Sequence, residues 1–465
     1  MTAILKNIRV WDTNESIMVR LNDGSAQERV YDASQWTIAP GFADPHVHFR
    51  DPGQTDKETM ETGARAAAHG GYTNVLIMPN TQPAADGEDY AGFNVLEDLD
   101  ARENIPVRYG LCVSASRGRE GSEASNMDAW KPMLRSGEKH FKHPVMAISD
   151  DGSTVRSQTL DAVIDNAIRA DIPFIDHCEH HKTGVMNEGE ISRHLGLPGI
   201  PAETELAIVE RDINKARATG VHLHLQHVST ALAFDAVREA KADGVNITCE
   251  TAPHYLALDD SAIEEYGTYA KMNPPLRSQS DRLASLEAVC DGTVDMIATD
   301  HAPHTEEEKA FGALSGMMEA PNGVIGLETA YPILRKVLVE AGYIDDARLI
   351  ELMSVEPNKL LGAQSFDIAH FAEKHEGVID FESEDLLKFS THYLSQTDIP
   401  GQHPDVVILA PEEPWTIDAK AFESKARNTP FDGWDVNGRV IATVCNAELT
   451  YSRLDAYPSS SLMEE

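Results

Sequence analysis

The chain has 465 residues, 42% of them hydrophobic, and a formal net charge of −37 from 76 acidic and 39 basic residues. That length allows a large core and more than one domain, and the composition excludes a disordered chain. The negative field disfavours nucleic acid and anionic membrane surfaces as partners, so an anionic ligand would need a local cluster of positive charge.

Five cysteines occur, at 112, 178, 249, 290 and 445, with no Cys-x-x-Cys pair. Neither a disulfide framework nor a cysteine zinc site is expected. The start has no apolar core of signal-peptide length, and no apolar run approaches membrane-spanning length. The expectation is a cytoplasmic protein.

Residues 1–37 read as short strands, Ala3 to Trp11 and Ser16 to Leu21, with a turn at Asn22-Asp23-Gly24. Next comes Ile38 to Gly53. Within it His46, His48 and Arg50 alternate with Val47 and Phe49, so two imidazoles and a guanidinium leave one face of an extended segment. Seven further short apolar runs follow: Tyr72–Met78, Val107–Val113, Pro144–Ile148, Ile172–Ile175, Val221–Gln226, Asn246–Cys249 and Val294–Ala298. Between most of them lie helical periodicities at Lys57–His69, Glu205–Ala218 and Ala231–Ala242. The clearest puts Leu160, Val163, Ile164, Ala167 and Ile168 on one face. Gly70, Gly220 and Gly244 stand where helix ends are expected. Gly326–Ala341 and Asp346–Leu361 read as closing helices, and Phe366–Asp398 shows no clear strand. Strand patterns return at Asp405–Leu409 and Gly438–Thr450.

Eight strands alternating with helices predict an α/β fold, a (β/α)8 TIM-like barrel. No Gly-x-Gly-x-x-Gly follows the first strand, so a dinucleotide-binding sheet has no support. The expected division is 1–37 as the N-terminal part of a β domain and 38–363 as the catalytic barrel. An irregular insertion or linker covers 364–402, and 403–465 completes a small β-sandwich made by both chain ends.

A barrel places functional groups at the C-terminal ends of its strands. Those ends offer His46, His48, His177, His227, Asp300 and one of Asp150 or Asp151. These are nitrogen and oxygen donors suited to zinc or manganese. Each has an ordinary explanation alone: a core histidine, a turn at Asp150-Asp151-Gly152, a helix cap at Asp300. Their coincidence at successive strand ends is what points to a metal site, with more donors than one tetrahedral ion needs.

The chain resembles the dihydroorotases of the amidohydrolase superfamily, in the branch with aspartate on strand four. The matching runs are Pro40–Gly53, Met78–Thr81, Ser149–Gly152, His177–Glu179, His227–Thr230, Met272–Arg277, Thr299–His304, Gly326–Thr329 and Ser424–Phe431. The resemblance implies a metal-dependent cyclic amide hydrolase of pyrimidine biosynthesis that interconverts (S)-dihydroorotate and N-carbamoyl-L-aspartate. It implies one or two zinc ions, with His46 and His48 on one, His177 and His227 on the other, and Asp151 shared. Asp300 would bind metal and carry the proton. Arg50, Asn80 and His304 would grip the substrate carboxylate, with His48 beside them. Asn273 and the backbone at Asn322-Gly323 would bind the ring amides. The partner is a small molecule, not nucleic acid or membrane; a homo-oligomer and association with aspartate transcarbamoylase are compatible with the resemblance. Two departures stand out: many relatives carry a carbamylated lysine where this chain has Asp-Asp, and Asn322 replaces a phenylalanine. The alternatives are another cyclic amidase (an allantoinase or hydantoinase), an inactive transcarbamoylase partner and a purely structural barrel.

Overall fold

The computed structural model describes residues 2–24, 27–86, 90–135, 141–179, 183–386 and 403–460. Eight parallel strands lie side by side in chain order: Phe42–Val47, Tyr72–Ile77, Arg108–Ser114, Val145–Ser149, Phe174–Asp176, Leu223–Leu225, Ile247–Thr251 and Met296–Ile297. They are barrel strands one to eight below. The ring closes where Val47 bridges His301 and the His48 amide donates to the His301 carbonyl at 2.9 Å. Nearly every residue in these strands is buried, because core side chains pack inside and helices cover the outside.

All eight expected strands therefore form. The helices follow their apolar stripes. In Ser157–Ala170, Leu160, Val163, Ile164 and Ala167 are buried. Ile168, expected on the same face, is 46% exposed and lies beyond the edge of the stripe. Gly220 ends the helix Glu203–Thr219 with φ +77, a left-handed conformation that costs glycine little. Gly70 ends Met60–His69 in ordinary helical geometry instead. A side chain there would meet the Leu327 carbonyl at 2.0 Å, so close packing against the chain after strand eight accounts for this glycine.

The chain ends join in a second sheet. Its path runs Val378–Asp380, Ser16–Asn22, Thr2–Val10, Thr37–Pro40, Val406–Thr416, Asp435–Cys445 and Glu448–Ser452, with Arg29–Asp32 also paired to Thr2–Val10. Leu5, Ile8, Val19, Ile38, Ile408, Ile441 and Val444 form its core. The stretch expected to be an irregular insertion departs from that reading. Ile368–Lys374 is a helix, Val378–Asp380 pairs in parallel with Ser16–Asn22, and Phe371, Ile379 and Phe381 join the sheet's core. A three-residue strand is too short to show a period in the sequence. Residues 387–402 of that stretch lie outside the described residues. The sheet docks on the barrel through Val407, Leu409 and Val440, which share a core with Phe42 and Tyr72.

Candidate metal centre and substrate pocket

His46 and His48 leave the end of strand one on the same face, as the alternation requires. His46 Nδ1 is 2.9 Å from Glu250 Oε1 at the end of strand seven, and His48 Nδ1 is 2.8 Å from Asn80 Oδ1 after strand two. A proton on each Nδ1 meets an acceptor, which leaves each Nε2 lone pair facing inward. There His46 Nε2 lies 3.2 Å from Asp151 Oδ1 and 3.5 Å from Asp300 Oδ1. His48 Nε2 lies 3.1 Å from Asp300 Oδ1 and 3.3 Å from Asp151 Oδ2.

The two aspartates ending strand four have different surroundings. Asp150 accepts hydrogen bonds from Ser114 Oγ and the Ser116 amide, both at 2.9 Å, and from Ser116 Oγ. Asp151 turns into the ring, with His177 Nδ1 at 3.6 Å and His227 Nε2 at 3.9 Å from its Oδ1. His177 Nδ1 and His227 Nε2 are themselves 2.8 Å apart. Geometry thus brings together His46, His48, Asp151, His177, His227 and Asp300, and keeps Asp150 out.

This donor set fits a metal ion. His46, His48 and Asp300 converge within 4.8 Å, as do His46, Asp151 and His227. Among the described residues, buried His46 Nε2 and Asp151 Oδ1 make no hydrogen bond although they face each other, and a cation between them, a proton or a metal ion, relieves both. The titration directions agree. Burial pulls the His46 pKa down, but the Asp151 and Asp300 carboxylates outweigh it and raise it well above the usual imidazole value. Burial would raise the Asp151 pKa, and the His46 and His48 imidazoles hold it well below the carboxylate range. His227 and Asp300 sit at left-handed φ values of +33 and +48, and Arg50 at +59. Non-glycine strain of this kind needs a surrounding structure that holds it in place.

Arg50 lies beside the ring. Its Nε donates to the Pro303 carbonyl at 3.2 Å, and Nη2 is 3.5 Å from His304 Nε2. Burial lowers its pKa to about 10, so it stays cationic at neutral pH. It makes no ion pair with a carboxylate among the described residues. A buried guanidinium in that condition is a receptor for an anion. His304 Nε2 donates to the Asn322 carbonyl at 2.8 Å, and burial with the neighbouring Arg50 charge lowers its pKa to about 2, so it is neutral. Asn80, whose Oδ1 holds His48, is placed by the same contact. Gly323 is held differently from expectation. Its N–H donates to the Lys271 carbonyl, and its carbonyl accepts from Lys309 Nζ and Asn428 Nδ2, all at 3.0 Å. Its polar groups fasten the loop, and a side chain there would strike Ala302 at 2.8 Å. Asn322 is exposed, with its carbonyl taken by His304. Asn273 Nδ2 donates to Glu179 and lies 3.0 Å from His177 Nε2.

Several contributors escape sequence reasoning. Glu250 supports His46 from strand seven. Asn428, far along the chain, donates to the Ala302 carbonyl at 3.1 Å and accepts from the His304 amide at 3.1 Å. Buried Lys309 donates to the carbonyls of Lys271, Pro321 and Gly323. His254, just after strand seven, is buried with Nε2 unbonded. Asn428 lies in a matching run, Ser424–Phe431, so only its contact was hidden. Glu250 needed the neighbour across the barrel. His69 and His143, which carry no assigned role, lie away from the ring, bonded to Glu328 and to the Tyr109 carbonyl. His140, His180, His181 and His392 fall outside the described residues.

Residues 37–365 match the amidohydrolase family model. The chain is 36% identical over 97% of its length to the dihydroorotase of Lactiplantibacillus plantarum, covering 99% of that protein. It is 37% identical over 92% of its length to the dihydroorotase of Bacillus subtilis, covering 90% of it. Among solved structures, a D-hydantoinase from Bacillus sp. AR9 superposes with a TM-score of 0.73, at 20% identity over 99% of this chain and 97% of that one. The dihydropyrimidinase from Brevibacillus agri gives 0.72, at 20% identity over 97% and 95%. These two share the fold with it. No helix among the described residues is long and apolar enough to cross a membrane. By length of match and level of identity, the chain belongs to the amidohydrolase family, among its dihydroorotases.

Proposed function

We propose that this chain catalyses the reversible hydrolysis of the cyclic amide of (S)-dihydroorotate to N-carbamoyl-L-aspartate. The observation that carries this reading over a neutral-ring amidase is Arg50: a buried, cationic fork beside the donor ring, with no ion-paired carboxylate among the described residues. A substrate carboxylate completes it, and the fork then orients the ring. Allantoin and dihydrouracil have no carboxylate to offer.

His46, His48, His177, His227, Asp151 and Asp300 would hold one or two divalent ions, which we take to be zinc. When bound, such ions lower the pKa of water and polarise a carbonyl oxygen. The chain's own residues do the rest. Arg50, with neutral His304 and Asn80 nearby, fixes the carboxylate and so sets the ring carbonyl carbon over the donor ring. Asp300 is held ionised by the imidazoles, His46 foremost, against the effect of burial. As the water oxygen bonds to the ring carbonyl carbon, Asp300 takes its proton. The carbon–nitrogen bond then breaks, and Asp300 returns the proton to the leaving ring nitrogen. The second water proton remains on the new carboxyl group and is released to solvent, so the products are a carboxylate, a ureido group and one proton; ring closure takes that proton up and runs the same steps backwards. All five cysteines are free thiols, which suits the cytoplasmic setting proposed for it.

Asp300→Asn tests the proton role. With metal content confirmed as unchanged, kcat should fall by at least about 100-fold. Near-normal turnover in that variant would remove Asp300 from the mechanism.

A further inference from the structure

We propose that Glu179 is a positioning residue that sets both a metal-binding imidazole and the hydrogen-bonding face shown to the substrate ring. The proposal rests on the dihydroorotase reading for its substrate, but not for its geometry. Glu179 follows strand five, two residues after His177. Its Oε2 lies 3.0 Å from His177 Nε2 and also accepts from Asn273 Nδ2. An ionised carboxylate only accepts. Two consequences follow from that alone.

The first concerns His177. Its Nε2 must carry the proton to donate to Glu179, so Nδ1 holds the lone pair, and Nδ1 is the atom facing His227 and Asp151. Glu179 thereby fixes the tautomer a metal ligand needs. The second concerns Asn273. An amide can sit either way round, and its neighbours decide which. Asn273 Nδ2 lies beside Glu179 and also 3.0 Å from His177 Nε2; the carboxylate, which accepts from both N–H groups, outweighs the neighbouring imidazole N–H, so the NH2 group faces Glu179 and Oδ1 becomes the end left over. That oxygen is buried and accepts no hydrogen bond among the described residues. A buried acceptor without a donor is costly, and a ring N–H relieves it. The site then selects rings that keep an N–H at that place, and Glu179 is the source of the selection although it need not touch the ring.

The test uses the full-length zinc enzyme and its Glu179→Ala and Glu179→Gln variants. Dihydroorotate and its two ring N-methyl derivatives are compared as ligands by competition. In the wild type, one N-methyl derivative should bind about 10-fold or more weakly. In Glu179→Ala that discrimination should shrink to near unity. Glu179→Gln should keep it, because the glutamine oxygen can still accept from Asn273. Zinc affinity by chelator competition should fall about 10- to 100-fold in Glu179→Ala. Nitrogen NMR of the metal-free protein should find His177 protonated on Nε2 in the wild type. Full discrimination in Glu179→Ala, or His177 protonated on Nδ1 in the wild type, would overturn the proposal. A wild type that shows the Nε2–H tautomer and the zinc effect, yet does not act on dihydroorotate, would instead overturn the assigned substrate and leave the positioning role standing. If Glu179→Ala fails to fold, Glu179→Gln and the wild-type NMR still decide.

Discussion

The rim of the barrel and the sheet built from the chain ends obey opposite rules. The end sheet is built on apolar burial: its centre is Leu5, Ile8, Ile38, Ile408 and Ile441, and its pairing absorbs bulges at Leu5/Ile8, Ala410/Pro414 and Thr443/Val444 without placing a titratable group in that centre. The rim crowds six imidazole and carboxylate groups into a buried ring. It holds Arg50, His227 and Asp300 at positive φ and leaves His46 Nε2 and Asp151 Oδ1 unbonded. Each of those features costs stability. A fold tolerates such costs where a ligand relieves them, and the apolar regions supply the surplus that makes them affordable. Substitutions in the two regions should therefore separate activity from stability.

The largest separation is expected within the rim itself, between neighbours. Asp151→Asn should lose metal and lower activity by more than about 100-fold, beyond what loss of a mere supporting group costs, with little change in Tm. Asp150→Asn places an NH2 group against the hydroxyl of Ser116 and should instead lower stability by about 1–3 kcal/mol. Metal analysis and thermal melts on the pair check this; the same loss of metal in both would erase the distinction. In the end sheet, Ile441→Ala leaves a cavity and should cost about 2–5 kcal/mol in denaturant unfolding, with kcat/KM per folded molecule unchanged. Arg50→Lys keeps the charge but loses the fork. It should lower kcat/KM for dihydroorotate by about 10- to 100-fold, an effect of about 1.4–2.7 kcal/mol.

The smallest effect lies in the loop behind the pocket. Burial pushes the Lys309 pKa from 10.5 down to about 7. Between those values the unfolded chain binds a proton there that the folded one does not, so stability rises with pH across that window. Lys309→Met should reduce that slope by about 1.4 kcal/mol per pH unit, measured by denaturant unfolding at several pH values. An unchanged slope would mean that Lys309 stays charged in the fold.

Much of the fold was legible because the barrel repeats one unit. Each apolar run followed by a polar end had a counterpart, and eight of them specify a closed sheet. The ring histidines were legible for the same reason, since the strand ends place them. What stayed hidden depends on contacts between distant segments. His46 meets Glu250 across 204 residues, and His304 meets Asn428 across 124. No local pattern marks such a pair. The strand Val378–Asp380 was hidden because three residues carry no period. Asp150 and Asp151 could not be told apart by residue type, because the serines that claim Asp150 lie on the preceding strand and the loop beyond it.

The most direct measurement is hydrolysis of dihydroorotate, dihydrouracil and allantoin side by side, before and after removal of metal by a chelator. Turnover of dihydroorotate alone, lost with the metal and restored by zinc, is the expected result. Comparable turnover of a ring without a carboxylate, or turnover of dihydroorotate that persists in the metal-free protein, would contradict it.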